Sequence, residues 1–113
     1  IAEAIEALSD PATAPERFAK VTHDFLCDTR QVRAEMAIIT SGVTDPRLRE
    51  LSRRWYDAIV PALTRLVGPD RAIYAAVFFD GAVMHAASHD TPLSEAQLAE
   101  ALRAFGGSTR NDT

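Results

Sequence analysis

Apolar residues recur along this chain at intervals of three and four, the spacing of one face of an α-helix. Ile1, Ile5 and Leu8 share such a face, which Ser9-Asp10-Pro11 closes, because the residue before a proline is pushed out of the α region. Pro15 suits a first helical turn, where its missing N–H would go unpaired anyway. From there Phe18, Val21, Phe25 and Leu26 carry the stripe of a helix reaching about Asp28. Asp28 and Gln31 then stand at capping-box distance for the next helix, with Val32, Met36 and Ile39 on its buried face. Gly42 is its natural terminator. Thr44-Asp45-Pro46 is the clearest helix start in the sequence, a capping residue followed by proline. Leu48, Leu51, Trp55, Ile59, Leu63 and Leu66 continue it as one long amphipathic helix. Pro61 predicts a kink near Asp57, and Gly68-Pro69 ends the element.

The segment Arg71 to His89 differs in kind. Apart from Asp80 and Gly81 it is apolar or weakly polar all round between Ala72 and Ala87. Residues 72–79 alone would pass for a buried strand, but length and alanine content decide for a helix. A helix apolar on every side must be covered on every side, so one face is expected to meet the chain's own core and the other a second chain. Ser94-Glu95-Ala96-Gln97 is a capping box, with Leu93 and Leu98 placed as a hydrophobic staple. Leu98, Leu102 and Phe105 give the last helix its stripe, and Gly106-Gly107 is its expected end. The polar tail, residues 108–113, is expected to be disordered. The reading is an all-α domain over residues 1–107, with six helices in an orthogonal or antiparallel bundle.

Length and charge narrow the function classes. A chain of 113 residues suits one domain, and 47% hydrophobic residues suffice for one core. The formal net charge of −4 argues against a direct grip on a phosphate backbone. No apolar run approaches the length of a membrane span, and the first residues, with no basic segment before an apolar one, are not expected to be a signal peptide. The chain starts without Met and in mid-helix character, so further sequence is expected upstream. The one cysteine, Cys27, cannot form an intramolecular disulfide, which fits a reducing compartment.

Candidate chemistry is sparse. His85 and His89 are four apart and would share a helical face, but a zinc site needs further ligands, and the spacing of His23 or Asp90 demands none. No metal or other cofactor is expected. Asp80 is costly inside an apolar helix unless paired, with Arg71 or an arginine of a neighbouring helix as the expected partner and a ligand cavity as the alternative. Cys27 reads as a small buried hydrophobe without a catalytic histidine at suitable spacing. Nucleophile-elbow and Gly-rich phosphate motifs are both missing, so no enzymatic activity is expected. Phe18, Phe25, Trp55, Tyr56, Phe78 and Phe79 come from three helices. They suit either plain core packing or a mostly apolar cavity with a few polar handles, and Met36 suits both.

With the helices placed, one family texture emerges. Arg33-Ala34-Glu35-Met36 leads through Gly42 to Thr44-Asp45-Pro46-Arg47-Leu48-Arg49, then to the long Trp55-bearing helix. The alanine-rich helix broken by Phe79-Asp80-Gly81-Ala82 follows, and the chain closes on Leu102-Arg103-Ala104-Phe105-Gly106. This order resembles the C-terminal regulatory domain of TetR-family transcriptional regulators over nearly the whole chain. The resemblance implies a cytoplasmic homodimer whose last two long helices form a four-helix bundle with the partner, here through Ala75, Phe79, Ala82, Val83, Ala86, Leu98, Leu102 and Phe105. It implies an effector cavity among the middle helices, with Phe25, Met36, Trp55, Ile59 and Phe78 as the expected lining. It further implies a repressor released by a small apolar ligand. The family's helix-turn-helix domain is absent from these residues, so DNA is expected to be reached only through a domain upstream. The alternative is a helical protein–protein interaction module with no small-molecule ligand.

Overall fold

The computed structural model describes residues 2–110, with side chains described through residue 106. Among the described residues six helices follow one another: α1 (Ala2–Ala7), α2 (Ala14–Leu26), α3 (Thr29–Ser41), α4 (Pro46–Val67), α5 (Pro69–Ser88) and α6 (Glu95–Arg110). Among the described residues there is no strand. The helix starts follow from local chemistry. Asp28 adopts extended backbone angles and its Oδ1 accepts from the backbone N–H of Arg30 (3.1 Å) and Gln31 (3.3 Å). The Gln31 amide closes the cap by donating to Asp28 Oδ2 at 2.9 Å. Asp45 accepts from the Arg47 N–H at 3.0 Å, with Pro46 in the first helical turn. Ser94 and Gln97 exchange bonds reciprocally: the Gln97 N–H donates to Ser94 Oγ and the Ser94 N–H to Gln97 Oε1.

One residue, Gly68, separates α4 from α5. Its φ of 91° lies where a side chain would be strained, and Pro69 then begins α5 with its φ already set. One expected terminator, Gly106-Gly107, acts differently, whereas α4 is the one long element expected. Helix α4 runs for 22 residues through Pro61 as one element. Helix α6 continues through Gly106-Gly107 to Arg110, because glycine is only a weak helix former and ends a helix where the backbone turns left-handed. Among the described residues only Gly68 does so. Of the expected tail, residues 111–113 lie outside the described residues.

Helix α6 packs most extensively on α2, and α4 on α5; α3 crosses both α4 and α5, while α1 rests on α2 and α4. The largest fully buried side chains are Ile59, Leu63, Leu98 and Leu102. At the centre Phe18 meets Phe79 edge to face, with ring centroids 4.7 Å apart. On the surface Arg103 of α6 pairs with Glu16 of α2.

The inner face of α5 is Ala72, Ala75, Ala76, Phe79, Ala82 and Val83, all buried in the chain's own core. This changes the register of the expected subunit contact. Ala75, Phe79, Ala82, Val83, Leu98 and Leu102 are covered by helices of the same chain, and Ala86 and Phe105 pack partly against that core. A helix apolar on both faces gives no periodic signal of which face turns inward, so the expectation picked the inner one. The outer face carries Ile73, Tyr74, Val77 and Met84, exposed by 42%, 62%, 54% and 53%.

Burial and capping translate into separable stability effects. Leu98→Ala should cost about 2–5 kcal/mol, as deletion of a fully buried leucine does, whereas Asp45→Ala should cost about 1 kcal/mol, the worth of one cap. Urea unfolding followed by circular dichroism measures both, and a larger loss for Asp45→Ala would contradict this division.

Candidate functional site

Helical geometry brings one stripe from each of several helices to a common cleft of about 400 Å³. Phe18, Val21 and Phe25 come from α2 and Gln31, Glu35 and Ile38 from α3. Leu51 and Trp55 come from α4 and Phe79 and Val83 from α5, all at helical three-to-four spacing, while α1 adds Glu3 and Ala4 at one edge. The wall is largely aromatic and aliphatic, with polar groups at Thr22, Asp24, Ser52 and Asp80. Its volume falls within the range of small-molecule sites.

Of the residues expected to line a cavity, Phe25 and Trp55 face this cleft. The other three lie elsewhere. Ile59, one turn beyond Trp55, is fully buried in the core. Met36 packs against the core beside the cleft-lining Glu35. Phe78 turns towards α6, its ring 6.1 Å from Phe105, and borders a more open groove with Arg71, Tyr74 and Ala101. For Phe78 and Met36 the displacement is a rotation of about 100° per residue: Phe79 rather than Phe78, and Glu35 and Ile38 rather than Met36, line the cleft. Glu35, Ile38, Leu51 and Val83 were not anticipated as lining, whereas Phe18 and Phe79 belong to the aromatic set that suited either a core or a cavity. Gln31, Glu35 and Ile38 do share a helical face in the sequence, but a polar-apolar stripe reads there as ordinary surface.

Asp80 finds its partner in a tyrosine, not in the expected arginine. The Tyr56 hydroxyl donates to Asp80 Oδ2 at 2.6 Å, tying α4 to α5 beside the cleft. Tyr56 in turn stands edge-on to Trp55, with centroids 5.0 Å apart. Burial pushes the Asp80 carboxyl above its ordinary value, against the opposing effect of the Tyr56 bond. Glu35 is also raised, first by burial and then by the neighbouring charge of Asp80. The Tyr56 phenol is pushed up by burial and then by its bond to Asp80. No lysine, arginine, histidine or cysteine is among the lining residues. Such a wall offers shape, apolar contact and negative charge.

One other expectation resolves differently. Cys27 is exposed, because α2 ends at Leu26 and the cysteine stands in the C-cap position, off the buried stripe. Its Sγ lies 3.6 Å from His23 Nε2, a neighbour at i−4 that the sequence reading passed over. His85 and His89 stack on one another with centroids 3.9 Å apart. Among the described residues no cluster of three or more potential metal ligands forms.

The raised Asp80 carboxyl carries a stability prediction. The folded chain holds that proton more tightly than the unfolded chain, so ionised Asp80 lowers stability at pH values above its raised pKa. This penalty fades as pH falls through the raised value towards the ordinary 3.8. Asp80→Asn keeps an acceptor for Tyr56 and removes the charge. Its melting temperature should match or exceed the parent's at pH 7, and the difference should shrink at pH 4. Thermal melts at the two pH values test this; a variant less stable at pH 7 than the parent would refute the burial argument.

Comparison with known proteins agrees with the architecture. The family described as "Tetracyclin repressor-like, C-terminal domain" matches residues 9–108. No curated protein and no solved structure matches the chain significantly. The matched span covers α2 to α5 whole and nearly all of α6. The chain therefore belongs to the tetracyclin repressor-like C-terminal domain family, and is a regulatory domain of a TetR-like transcriptional regulator.

Proposed function

We propose that this domain binds a small, largely apolar effector in the cleft and dimerises through the outer face of α5. In the same reading, a helix-turn-helix domain outside these 113 residues holds DNA, and effector binding releases it, making the protein a cytoplasmic repressor. The observation that carries the proposal is the cleft itself: about 400 Å³ bounded by four aromatic rings, beside a core packed around Ile59, Leu63, Leu98 and Leu102. Its role is non-catalytic.

Helix α5 supplies a physical route from ligand to partner. Its inner side gives Phe79, Asp80 and Val83 to the cleft, and its outer side exposes Ile73, Tyr74, Val77 and Met84. An occupant that favours one position of α5 therefore biases the geometry of whatever covers its outer side, by differential affinity for the two arrangements. The proposed cover is a second copy of the chain. Gly81 lies on the same outer face, and a Cβ built there meets nothing within 4 Å inside the chain, so it leaves room for close approach of a partner helix.

Light scattering over a dilution series tests the dimer. The parent chain should be a dimer, and Val77→Glu with Met84→Glu should be a monomer with unchanged helical circular dichroism. A parent that is monomeric at every concentration would overturn the dimer reading. Trp55→Ala tests the cleft. Calorimetric titration with 1-octanol should show binding to the parent and at least about a tenfold loss in the variant, as expected for removing a large aromatic contact. The variant's dimer should persist. A Trp55→Ala chain that fails to fold would instead place Trp55 among the core residues.

A further inference from the structure

The ionisable groups that line the cleft all carry one sign. Glu3, Asp24, Glu35 and Asp80 are carboxylates, and no cationic side chain stands among the lining residues. Asp24 is exposed and already faces Lys20 at 3.2 Å. Glu35 and Asp80 differ. Both are partly buried, they come from α3 and α5, and they stand close enough for the charge of one to disfavour ionisation of the other. Among the described residues neither belongs to an ion pair. Asp80 has a neutral partner, the Tyr56 hydroxyl, which fixes one oxygen and leaves the charge uncompensated.

Three kinds of occupant meet this wall differently. A neutral apolar molecule seals the carboxylates from water and raises the cost of their charge. An anion adds repulsion to that cost. A cation supplies the compensation that the lining residues do not, and its apolar part displaces water from Phe18, Phe25, Phe79 and Val83. Trp55 and Phe25 are in the same lining, and aromatic rings attract an ammonium group by their quadrupoles. From this juxtaposition we infer that the cleft selects a hydrophobic cation, with an alkyl or aryl body among the aromatic rings and an ammonium-type head at Glu35 and Asp80. The inference rests on the reading of the cleft as the effector site and specifies the class of effector.

Three probes with the same eight-carbon chain separate the possibilities: octyltrimethylammonium, 1-octanol and octanoate, each below its micelle concentration. Trp55, the one tryptophan of the chain, lines the cleft and reports occupancy by its fluorescence, with calorimetry as an independent readout. The cation should bind about tenfold tighter than the alcohol, and octanoate should bind most weakly. In the Glu35→Gln, Asp80→Asn double variant the cation should fall to the level of the alcohol, while 1-octanol binding is unchanged or improved. Each single variant should lose part of the preference, which keeps the test available if the double variant unfolds. Equal binding of cation and alcohol to the parent would overturn the cationic preference and leave an apolar effector site standing. So would a preference that survives both substitutions. Binding of none of the three would overturn the effector reading together with the inference.

Discussion

Helix α5 places the central constraint on this domain, because 20 residues of mostly apolar surface have to be covered within a chain of 113. Alanines at 72, 75, 76 and 82 make its inner side shallow, so neighbouring helices can approach closely along most of its length. Helix α4 does so most extensively, held in register by the one-residue joint at Gly68. Where the inner side changes from alanine to Phe79, Asp80 and Val83, close approach gives way to the cleft. The cavity is thus a consequence of side-chain size along one helix, and the Phe18–Phe79 contact marks where solid core begins.

Helix boundaries were legible in the sequence because caps are local. Asp28, Asp45 and Ser94 each satisfy backbone donors two or three residues away, and no distant contact is needed to place them. Where a local rule lacked its second half, it misled: Gly106-Gly107 supplies glycine without a left-handed turn, and α6 continues. Faces were harder than boundaries. Phe78 and Phe79 are both aromatic neighbours on an all-apolar helix, and only the packing of α2 against α5 decides that Phe79 turns inward. The same ambiguity put Ala75, Phe79 and Ala82 on an expected subunit face although they lie in the chain's own core, since the inner stripe and the outer Tyr74-Val77-Met84 stripe are both apolar. Met36 shows a subtler case. A stripe drawn through apolar residues of α3 passes over Glu35, because a carboxylate reads as solvated until α5 is seen to lie beside it.

Asp80 is where fold and function meet. Its carboxylate breaks the apolar character of α5 at a position half inside the protein, a placement that lowers stability unless something in the structure uses it. The Tyr56 hydroxyl offsets part of the cost and joins α4 to α5, so the polar group doubles as a strut between two walls of the cleft. A purely structural strut would be served equally well by asparagine, which accepts the same bond without a charge to desolvate. Under the proposed cationic effector, the charge of Asp80, beside that of Glu35, would find in the ligand the compensation that Tyr56 does not supply. The bond to Tyr56 then acquires a second consequence. In the proposed reading, a cation drawn to Asp80 would act on a residue already tethered to α4, and α5 carries the exposed Val77 and Met84 on its far side. One ligand contact therefore touches both the helix pair that shapes the cleft and the face that a partner would cover, which is the physical requirement for a binding event to be felt beyond its own site.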